Sequence, residues 1–536
     1  MKKIFSYSIL LLLPFFFIII SLYCKESVGE YWASRFYDPA YAYLISSLNL
    51  AQLSGYGIEH IDHPGTPIQV TGAVVIKFFY AIAGEDTDIV KDVFLRPEFY
   101  LSRINLTFVL LTAFALFILG LIVYKKQKNI YAALLLQLTP FYTSTIYDHF
   151  TDVSSESLLI FSIIVLIMVL MSFISSKTIT RRIYFYYTIG FGIICGFSLA
   201  CKLLLFPILI IPFILLKKFS FKALFILVTL ISFLIFVYPA MSNVNSMKFL
   251  NWYTNVVTHS GYYGDGPEAV IEPSKYLGNL GKFFLYKPMF DFAYFLTAFT
   301  LILSFNKKFK KIRKEEKYYG LLLGIFIMMT IYIVVIPKHF EYHYMITPHM
   351  FSVLALFIVN HFAIGLFPAL FKRKKLFYVS IIIIIFCISQ LIIVREDYTM
   401  YAHRQDETRK FINYSEKTFE YCLTVNSNLN TKMYSLLFGV EYSGEEHIYR
   451  RYISILKNLY PDYIFFNKWS KDIDPGDIQN FQSKLKNCNN ILFRSEDEDL
   501  INNFISRIKQ LTNKENVNYK KVFSNDNFEN IYEITF

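Results

Sequence analysis

Apolar residues recur along this 536-residue chain in long runs that are separated by short polar segments. A helix needs about 20 mostly apolar residues to cross the hydrocarbon core of a bilayer, and the runs are close to that length. The pattern therefore predicts a polytopic α-helical membrane protein with about eleven spans. The predicted spans cover residues 4–24, 104–124, 130–147, 158–174, 183–201, 203–216, 221–238, 289–305, 318–336, 345–370 and 376–394.

The segment between the first two predicted spans, residues 25–102, contains two shorter apolar pieces, 41–53 and 68–83. Both are short for a span, and the second has Lys77 in its middle. We therefore expect them to form juxtamembrane helices that lie in the membrane interface. The first long run follows Lys2 and Lys3 and lacks a small-residue cleavage site, so we interpret it as a retained anchor.

The charge distribution predicts the orientation of the chain. A net charge of +12 would by itself suggest a nucleic-acid partner, but the Lys and Arg residues form clusters between apolar runs. That distribution is typical of cytoplasmic loops, so no nucleic-acid partner is predicted. The clusters lie at residues 2–3, 125–128, 177–182, 217–222, 307–317 and 372–375. In a bacterial inner membrane, this places the N-terminus in the cytoplasm and, after an odd number of spans, the C-terminus in the periplasm.

The pattern changes after Arg395, where short β-branched and aromatic runs alternate with amphipathic stretches. This indicates a soluble α/β domain over residues 395–536, beyond a membrane domain of residues 1–394 that includes the outer loop. The last 18 or so residues have the pattern of a hairpin with an Asn/Asp-rich turn. Cys422 and Cys488 both lie in this domain, and an extracytoplasmic location would allow a disulfide between them.

Polar residues that could support chemistry cluster just after the first span. Asp38 stands in the segment YDPAY, and the turn DHPGTP follows with His60, Asp62 and His63 close by. An ionisable residue at a membrane boundary is a functional-site candidate by default. The alternative is structural, because an Asp-Pro pair also favours the start of a turn.

These two segments, followed by an amphipathic run that ends at Gly84, resemble the integral-membrane glycosyltransferases of the GT-C superfamily. The resemblance is to the branch with the protein mannosyltransferases and the lipid A aminoarabinose transferases. The family has YDEAYY where this chain has YDPAY, and a second proline where this chain has Gly65. The resemblance implies a multi-span fold with juxtamembrane helices and a polyprenyl-phosphate sugar donor.

The resemblance also implies catalytic roles for two carboxylates. Asp38 corresponds to the acidic residue of the first outer loop and would be the general base that activates the acceptor. Thr151–Asp152, in YDHFTDVSSES, resembles a Thr-Asp pair of the family that precedes an apolar run. Asp152 is therefore a second catalytic candidate and Asp148 a substrate-binding candidate, although Asp152 could instead cap the following helix.

Lys202 is the clearest candidate for a functional cation. It interrupts two apolar runs in GFSLACKLLLFP, has no acidic neighbour in the sequence, and matches a lysine in the similar family segment GLALLTKYTALLLLP. We expect it to bind the donor phosphate, the alternative being a lysine that extends to lipid headgroups. Lys338 and His63 are further candidates for binding the phosphate.

The turn PKHFEYHY resembles a family turn of the form K-H-x-R-Y-x-L-P, with Glu341 in place of the arginine. It supplies the substrate-binding candidates His339, Tyr342 and His343. The spacing of His60 with His63, and of His339 with His343, also leaves a divalent metal as an alternative. No cofactor is assigned, and a metal would more readily join Asp38 and Asp152 than define a zinc enzyme.

The sequence thus predicts a hexosyl- or pentosyltransferase that moves a sugar from a polyprenyl-phosphate donor to an envelope lipid, glycan or protein acceptor at the outer face of the bilayer. Two other classes stay open. A flippase or transporter of lipid-linked sugars would place polar groups near the midplane of the membrane. A non-catalytic assembly subunit would depend on its C-terminal domain and tolerate loss of Asp38 and Lys202.

Overall fold

The computed structural model describes residues 2–33, 37–53, 58–61, 64–176, 178–241, 273–285, 288–338, 340–366, 377–417, 422–427, 431–461, 463–467, 470–473, 478–486, 488–512 and 516–535. Most of these residues are helical. The helices of the first two thirds are Lys2–Val28, Tyr37–Ala51, Thr66–Ala83, Ile89–Leu95, Pro97–Gln127, Ile130–Gln137, Thr145–Asp148, Ser155–Ile174, Arg181–Cys201, Ile210–Leu215, Phe219–Met241, Pro273–Leu285, Pro288–Leu303, Lys311–Lys314, Glu316–Val335 and Ile346–Leu366.

A helix of 41 residues, Phe377–Lys417, leads into the last part of the chain. The helices that follow it are Lys432–Glu441, Glu446–Leu459, Ile478–Leu485 and Asp499–Thr512. The strands are β1 (Leu423–Asn426), β2 (Tyr463–Asn467), β3 (Asp472–Ile473), β4 (Asn490–Ser495), β5 (Asn518–Ser524) and β6 (Asn530–Thr535).

The predicted fold class, a polytopic helical membrane protein with a C-terminal α/β domain, is confirmed. Among the described residues, 8 helices are long and apolar enough to cross a membrane, or 9 if the bent pair Met289–Leu303 and Lys307–Lys314 forms one span. The predicted number was about eleven. Two predicted spans, residues 130–147 and 203–216, are broken in the structure and account for part of the difference.

Proline explains why both segments are broken, since it lacks a main-chain N–H and its ring clashes with the preceding helical turn. Residues 130–147 form the helix Ile130–Gln137, a 3-10 turn with Pro140, and the helix Thr145–Asp148. Residues 203–216 begin as a 3-10 helix with Pro207 inside and continue as the helix Ile210–Leu215. Conversely, Thr66–Ala83 meets the length and composition of a span, although its Lys77 led us to expect an interfacial helix.

Contacts divide the chain into two units. The first consists of Met1–Cys24, Gly57–Gly72 and Ile104–Arg395, and the second of Lys25–Tyr56, Ala73–Arg103 and Glu396–Phe536. Two stretches of the outer loop, Lys25–Tyr56 and Ala73–Arg103, thus group by their contacts with the C-terminal residues. The domain boundary at residue 395 stays a prediction.

In the first unit, small residues bring two long helices close together. Gly192 and Gly196 are four apart on the helix Arg181–Cys201 and face Phe219–Met241. A Cβ at Gly192 would lie 2.6 Å from Cγ1 of Val228, and a Cβ at Gly196 would lie 2.6 Å from Cβ of Ser232. Such pairs of small residues allow helix backbones to approach within a bilayer. The packing fixes the helix whose C-terminal end leads into Lys202.

The second unit contains a six-stranded mixed sheet with the order β3-β2-β1-β4-β6-β5. The central strands β2, β1 and β4 are parallel, while β3, β6 and β5 join antiparallel. Strand β4, buried along nearly all its length, packs Phe493 against Phe504 of the helix Asp499–Thr512, with ring centroids 4.7 Å apart. The predicted terminal hairpin is present as β5 and β6, joined by the Asn/Asp-rich turn.

The helix Tyr37–Ala51 also belongs to the second unit. Asn49 donates to the main-chain oxygen of Ser443 (2.8 Å) and accepts from the hydroxyl of Tyr452 (2.6 Å), which itself accepts from Gln52 (2.7 Å). A Cβ at Gly439 would lie 2.7 Å from the main-chain oxygen of Tyr41. A buried hydrogen-bond network and a close backbone approach therefore hold this helix against the C-terminal residues.

Cys422 and Cys488 form a disulfide that closes a sequence separation of 66 residues. It ties the residue before β1 to the residues that lead into β4. Because β1 and β4 are neighbours in the sheet, the disulfide links segments whose strands are already hydrogen-bonded to each other. The four other described cysteines, Cys24, Cys195, Cys201 and Cys387, are buried thiols that pack as small apolar side chains.

Candidate functional site

Lys202 lies where two elements of the first unit meet. It follows the helix Arg181–Cys201 in an extended conformation, and its main-chain N–H donates to the carbonyl oxygen of Ser198 at 3.0 Å. It also forms an isolated antiparallel β-bridge with Pro64, the first proline of the DHPGTP turn. Two segments that the sequence analysis singled out separately are thereby joined through their backbones.

The partner of Lys202 is Glu156, which the sequence analysis did not select. The Nζ atom of Lys202 donates to Oε1 of Glu156, and each side chain is only 7% exposed. Oε2 of Glu156 accepts from the hydroxyl of Ser155 at 2.9 Å. The carboxylate compensates for the hydration that a buried ammonium loses. The two opposite charges can therefore be buried together at the ends of two apolar helices.

Glu156 stands in the first turn of the helix Ser155–Ile174, the most apolar of the candidate spans. An acidic residue at that position is a detectable signal, because a membrane boundary rarely retains a buried carboxylate without a function. The predicted residues of the same segment are Asp148 and Asp152. The actual ion pair joins residues 46 positions apart, a distance that spacing rules do not cover.

Aromatic and imidazole side chains surround the pair. The Nδ1 atom of His149 lies 3.8 Å from Oε2 of Glu156, and Nε2 of His343 lies 3.9 Å from Oε1. The two imidazole rings meet edge to face with centroids 5.8 Å apart. The Nζ atom of Lys202 lies 5.1 Å from the ring centre of Tyr344, which is within the range of a cation–π contact.

Burial lowers the pKa of His149 from 6.5 to about 4, a shift that Glu156 opposes and Lys202 reinforces. The ring is therefore neutral at neutral pH, and Nδ1 lies 3.1 Å from the hydroxyl oxygen of Ser154. Among the described residues, the buried Nε2 of His149 has no hydrogen-bond partner. The imidazole is thus a neutral polar group beside the ion pair rather than a second cation.

The predicted residues Asp152 and Asp148 lie beside this cluster in the chain and make local hydrogen bonds, and their roles in the site stay predictions. Asp152 is buried, its Oδ1 accepts from the N–H of Val153 at 2.7 Å, and its carbonyl oxygen accepts from Asn105 at 3.3 Å. The following helix begins at Ser155 with Ser154 as its N-cap, so Asp152 does not cap it. The main-chain oxygen of Asp148 accepts from Thr151 at 2.7 Å.

The turn at residues 337–344 contributes two side chains to the cluster: His343, whose substrate-binding role stays a prediction, and Tyr344, which was not among the predicted residues. Lys338 is half-buried at the end of a 3-10 turn, and Tyr342 is about half exposed. His63 and His339 lie outside the described residues. The two predicted histidine pairs for a metal therefore lie partly outside them as well.

Asp38 belongs to the second unit, on the outer-loop helix Tyr37–Ala51. Its backbone is not helical, with φ −99° and ψ 117°, so the regular helix begins at Pro39. Proline is favoured at that position because its ring fixes φ and its missing N–H costs nothing there. Asp38 is an exposed residue, and partial loss of water around the carboxyl group raises its pKa. A raised pKa suits a proton acceptor, and the catalytic role stays a prediction.

No protein-family model matches the chain, and no curated protein matches it either. Among solved structures, the chain is similar to ArnT from Cupriavidus metallidurans bound to undecaprenyl phosphate, with 11% identity, 97% of each chain covered and a TM-score of 0.48. The apo state of the same protein gives 10% identity, the same coverage and the same TM-score.

The lowered pKa of His149 predicts a pH dependence of stability. Between pH 6.5 and about 4 the unfolded chain binds a proton that the folded chain does not. The free energy of unfolding therefore decreases as the pH is lowered through that window. The contribution of one such group is at most about 3 kcal/mol. His149→Gln should remove this part of the acid dependence in chemical denaturation of the detergent-solubilised chain. The control is His447→Gln, at an exposed histidine, and equal acid profiles for wild type and His149→Gln would contradict the assignment.

Proposed function

We propose that this chain is a glycosyltransferase that moves a sugar from a polyprenyl-phosphate donor to an envelope lipid, glycan or protein acceptor. The observation that supports it most is the buried ion pair of Lys202 and Glu156, at the ends of two apolar helices and beside His149, His343 and Tyr344. The pair unites the DHPGTP turn, the acidic segment at residues 147–157 and the lysine segment, each of which resembles a motif of the same superfamily.

Lys202 is the donor-phosphate ligand in this proposal. An ammonium has three N–H donors, so Lys202 can donate to the phosphate oxygens. Glu156 acts as the counterion while no donor is bound and keeps the ammonium charged and oriented. A donor phosphate must compete with that carboxylate for Nζ, because both are anions that require the same cation. Lys338 and His63 are proposed as further phosphate ligands, and His339, Tyr342, His343 and Asp148 as substrate ligands.

The reaction follows from the donor chemistry. An acceptor oxygen attacks the anomeric carbon of the sugar, and the bond from that carbon to the phosphate oxygen breaks. The phosphate leaves with the electron pair as polyprenyl phosphate, whose developing negative charge Lys202 stabilises. Asp38 takes the proton of the acceptor hydroxyl as general base. Asp152 is retained as a proposed catalytic residue through its position in the segment that holds Glu156.

The proposed location is the outer face of the bacterial inner membrane. The basic clusters would face the cytoplasm, and the C-terminal residues the periplasm. The charged pair at the boundary of the spans fits a lipid phosphate, which lies at the headgroup level while its prenyl chain remains among the helices. A flippase would instead need its polar groups near the midplane.

The phosphate assignment predicts different effects for three variants. Lys202→Met alone leaves a buried carboxylate unpaired, which typically costs about 3–5 kcal/mol of stability. The double variant Lys202→Met/Glu156→Gln removes both charges, so it should fold yet bind undecaprenyl phosphate at least about tenfold more weakly, since it has lost a charged hydrogen bond. Glu156→Gln alone keeps the ammonium and removes its competitor, so binding should be retained or tightened.

These affinities can be measured by native mass spectrometry of the chain in detergent, with dodecyl phosphate as a ligand that lacks the prenyl structure. Equal binding by the wild type and the folded double variant would remove Lys202 from the site. Binding by Glu156→Gln that is no tighter than binding by the double variant would also remove Lys202 from the site, because these two variants differ only at residue 202.

The role of Asp38 predicts a separate result, because a base is needed for turnover but not for donor binding. Asp38→Asn should lower transfer by about 10²–10⁴-fold and leave undecaprenyl phosphate binding unchanged. The readout is the mass-spectrometric profile of envelope glycoconjugates in cells that lack the chain and are complemented with each variant. Asn substitutes well for Asp at the start of a turn. Normal transfer by Asp38→Asn would therefore reject the catalytic role and leave the structural one.

A further inference from the structure

A group of metal-ligating side chains lies in the second unit, apart from the proposed transferase site. His403 and Glu407 are four residues apart on the helix Phe377–Lys417, so they lie on the same face. Asp526 comes from the turn between β5 and β6. One ligand atom from each of the three side chains lies within 4.8 Å of the other two.

Hydrogen bonds fix this turn against the helix. The side-chain amide of Asn525 donates to the carbonyl oxygen of Glu407 at 2.9 Å, and that of Asn527 donates to the carbonyl oxygen of Arg404 at 2.7 Å. Asn527 also donates to the hydroxyl of Thr408 at 3.1 Å. Asp526, which lies between the two asparagines, is therefore held beside His403 and Glu407 by contacts that need no metal. A site of this kind loses little conformational entropy when an ion binds.

We propose that His403, Glu407 and Asp526 bind a divalent cation of the zinc class. One imidazole nitrogen and two carboxylate oxygens are a donor set that Zn²⁺ accepts at about 2.0–2.2 Å, whereas Ca²⁺ and Mg²⁺ favour all-oxygen sites. Ligand atoms of a tetrahedral ion lie roughly 3.4 Å apart at those bond lengths, so small side-chain rotations complete the geometry. His403 and Asp526 are exposed, which gives the ion a path from solvent and leaves room for a water ligand.

Lys410 is the competitor for this ion. Its Nζ atom donates to Oε1 of Glu407, so a lysine ammonium occupies part of the carboxylate that the metal would use. The lysine side chain is 65% exposed and the carboxylate 10%. Lys410 can therefore turn into solvent when an ion binds. The buried carboxylate then exchanges a monovalent cation for a divalent one.

The consequence is structural rather than catalytic. The ion would join the helix that leads out of the membrane domain to the last hairpin of the sheet. His403, Glu407 and the hairpin all belong to the second unit, so binding would stabilise that unit and protect the terminal strands from opening. This inference does not depend on the proposed transferase function.

The test uses the whole chain in detergent, purified without a polyhistidine tag and treated with a chelator. Zn²⁺ is titrated by calorimetry, and Co²⁺ by its visible absorption, which reports tetrahedral coordination. We expect one equivalent to bind and to raise the midpoint of thermal unfolding. His403→Gln and Asp526→Asn should each weaken binding at least tenfold, while His447→Gln, at an exposed histidine of the same unit, should not.

Lys410→Met provides a second, independent variant, because removal of the competitor should tighten Zn²⁺ binding severalfold. The proposal is overturned if His403→Gln and Asp526→Asn, shown to be folded by unchanged metal-free melting, bind Zn²⁺ as the wild type does. It is also overturned if His447→Gln weakens binding as much as His403→Gln, since that result identifies diffuse surface binding.

Discussion

The account depends on one buried ion pair, Lys202 with Glu156. Burial of either charge alone at the end of an apolar helix would cost free energy. Together the two opposite charges form a buried pair with no net charge in the first unit. Replacement of both by apolar residues would in general cost little, so the need to fold does not explain the pair. The proposed role of Lys202, a cation held ready for an anionic ligand, would account for the pair.

The local backbone supports this interpretation because it leaves Lys202 little freedom. The end of the helix, the bridge to Pro64 and the close packing at Gly192 and Gly196 determine where the lysine main chain lies. The neutral ring of His149 adds a polar wall without adding charge. A phosphate that enters would therefore meet one positive group whose orientation is fixed beforehand, which is the arrangement that electrostatic catalysis requires.

Hydrophobic patterning predicted the fold class because the spacing of apolar runs is a direct consequence of bilayer thickness. The patterning predicted too many spans because Pro140 and Pro207 break two apolar runs. Apolar composition alone does not reveal that a proline removes a helical hydrogen bond. Lys202 was predictable because it is a lone charge between apolar runs. Glu156 was not, since an ion pair across 46 positions depends on how helices pack. The grouping of the helix Tyr37–Ala51 with Gly439 and Tyr452 likewise depends on contacts that no local pattern encodes.

The central claim is that the ammonium of Lys202 receives the phosphate of a lipid donor. A cryo-electron microscopy structure of the chain with bound undecaprenyl phosphate tests this most directly. The account predicts a phosphate oxygen at about 2.7–2.9 Å from Nζ of Lys202, the distance of a charge-assisted hydrogen bond, with at least one former contact to Glu156 lengthened. A phosphate bound elsewhere, with the pair of Lys202 and Glu156 unchanged, would contradict it.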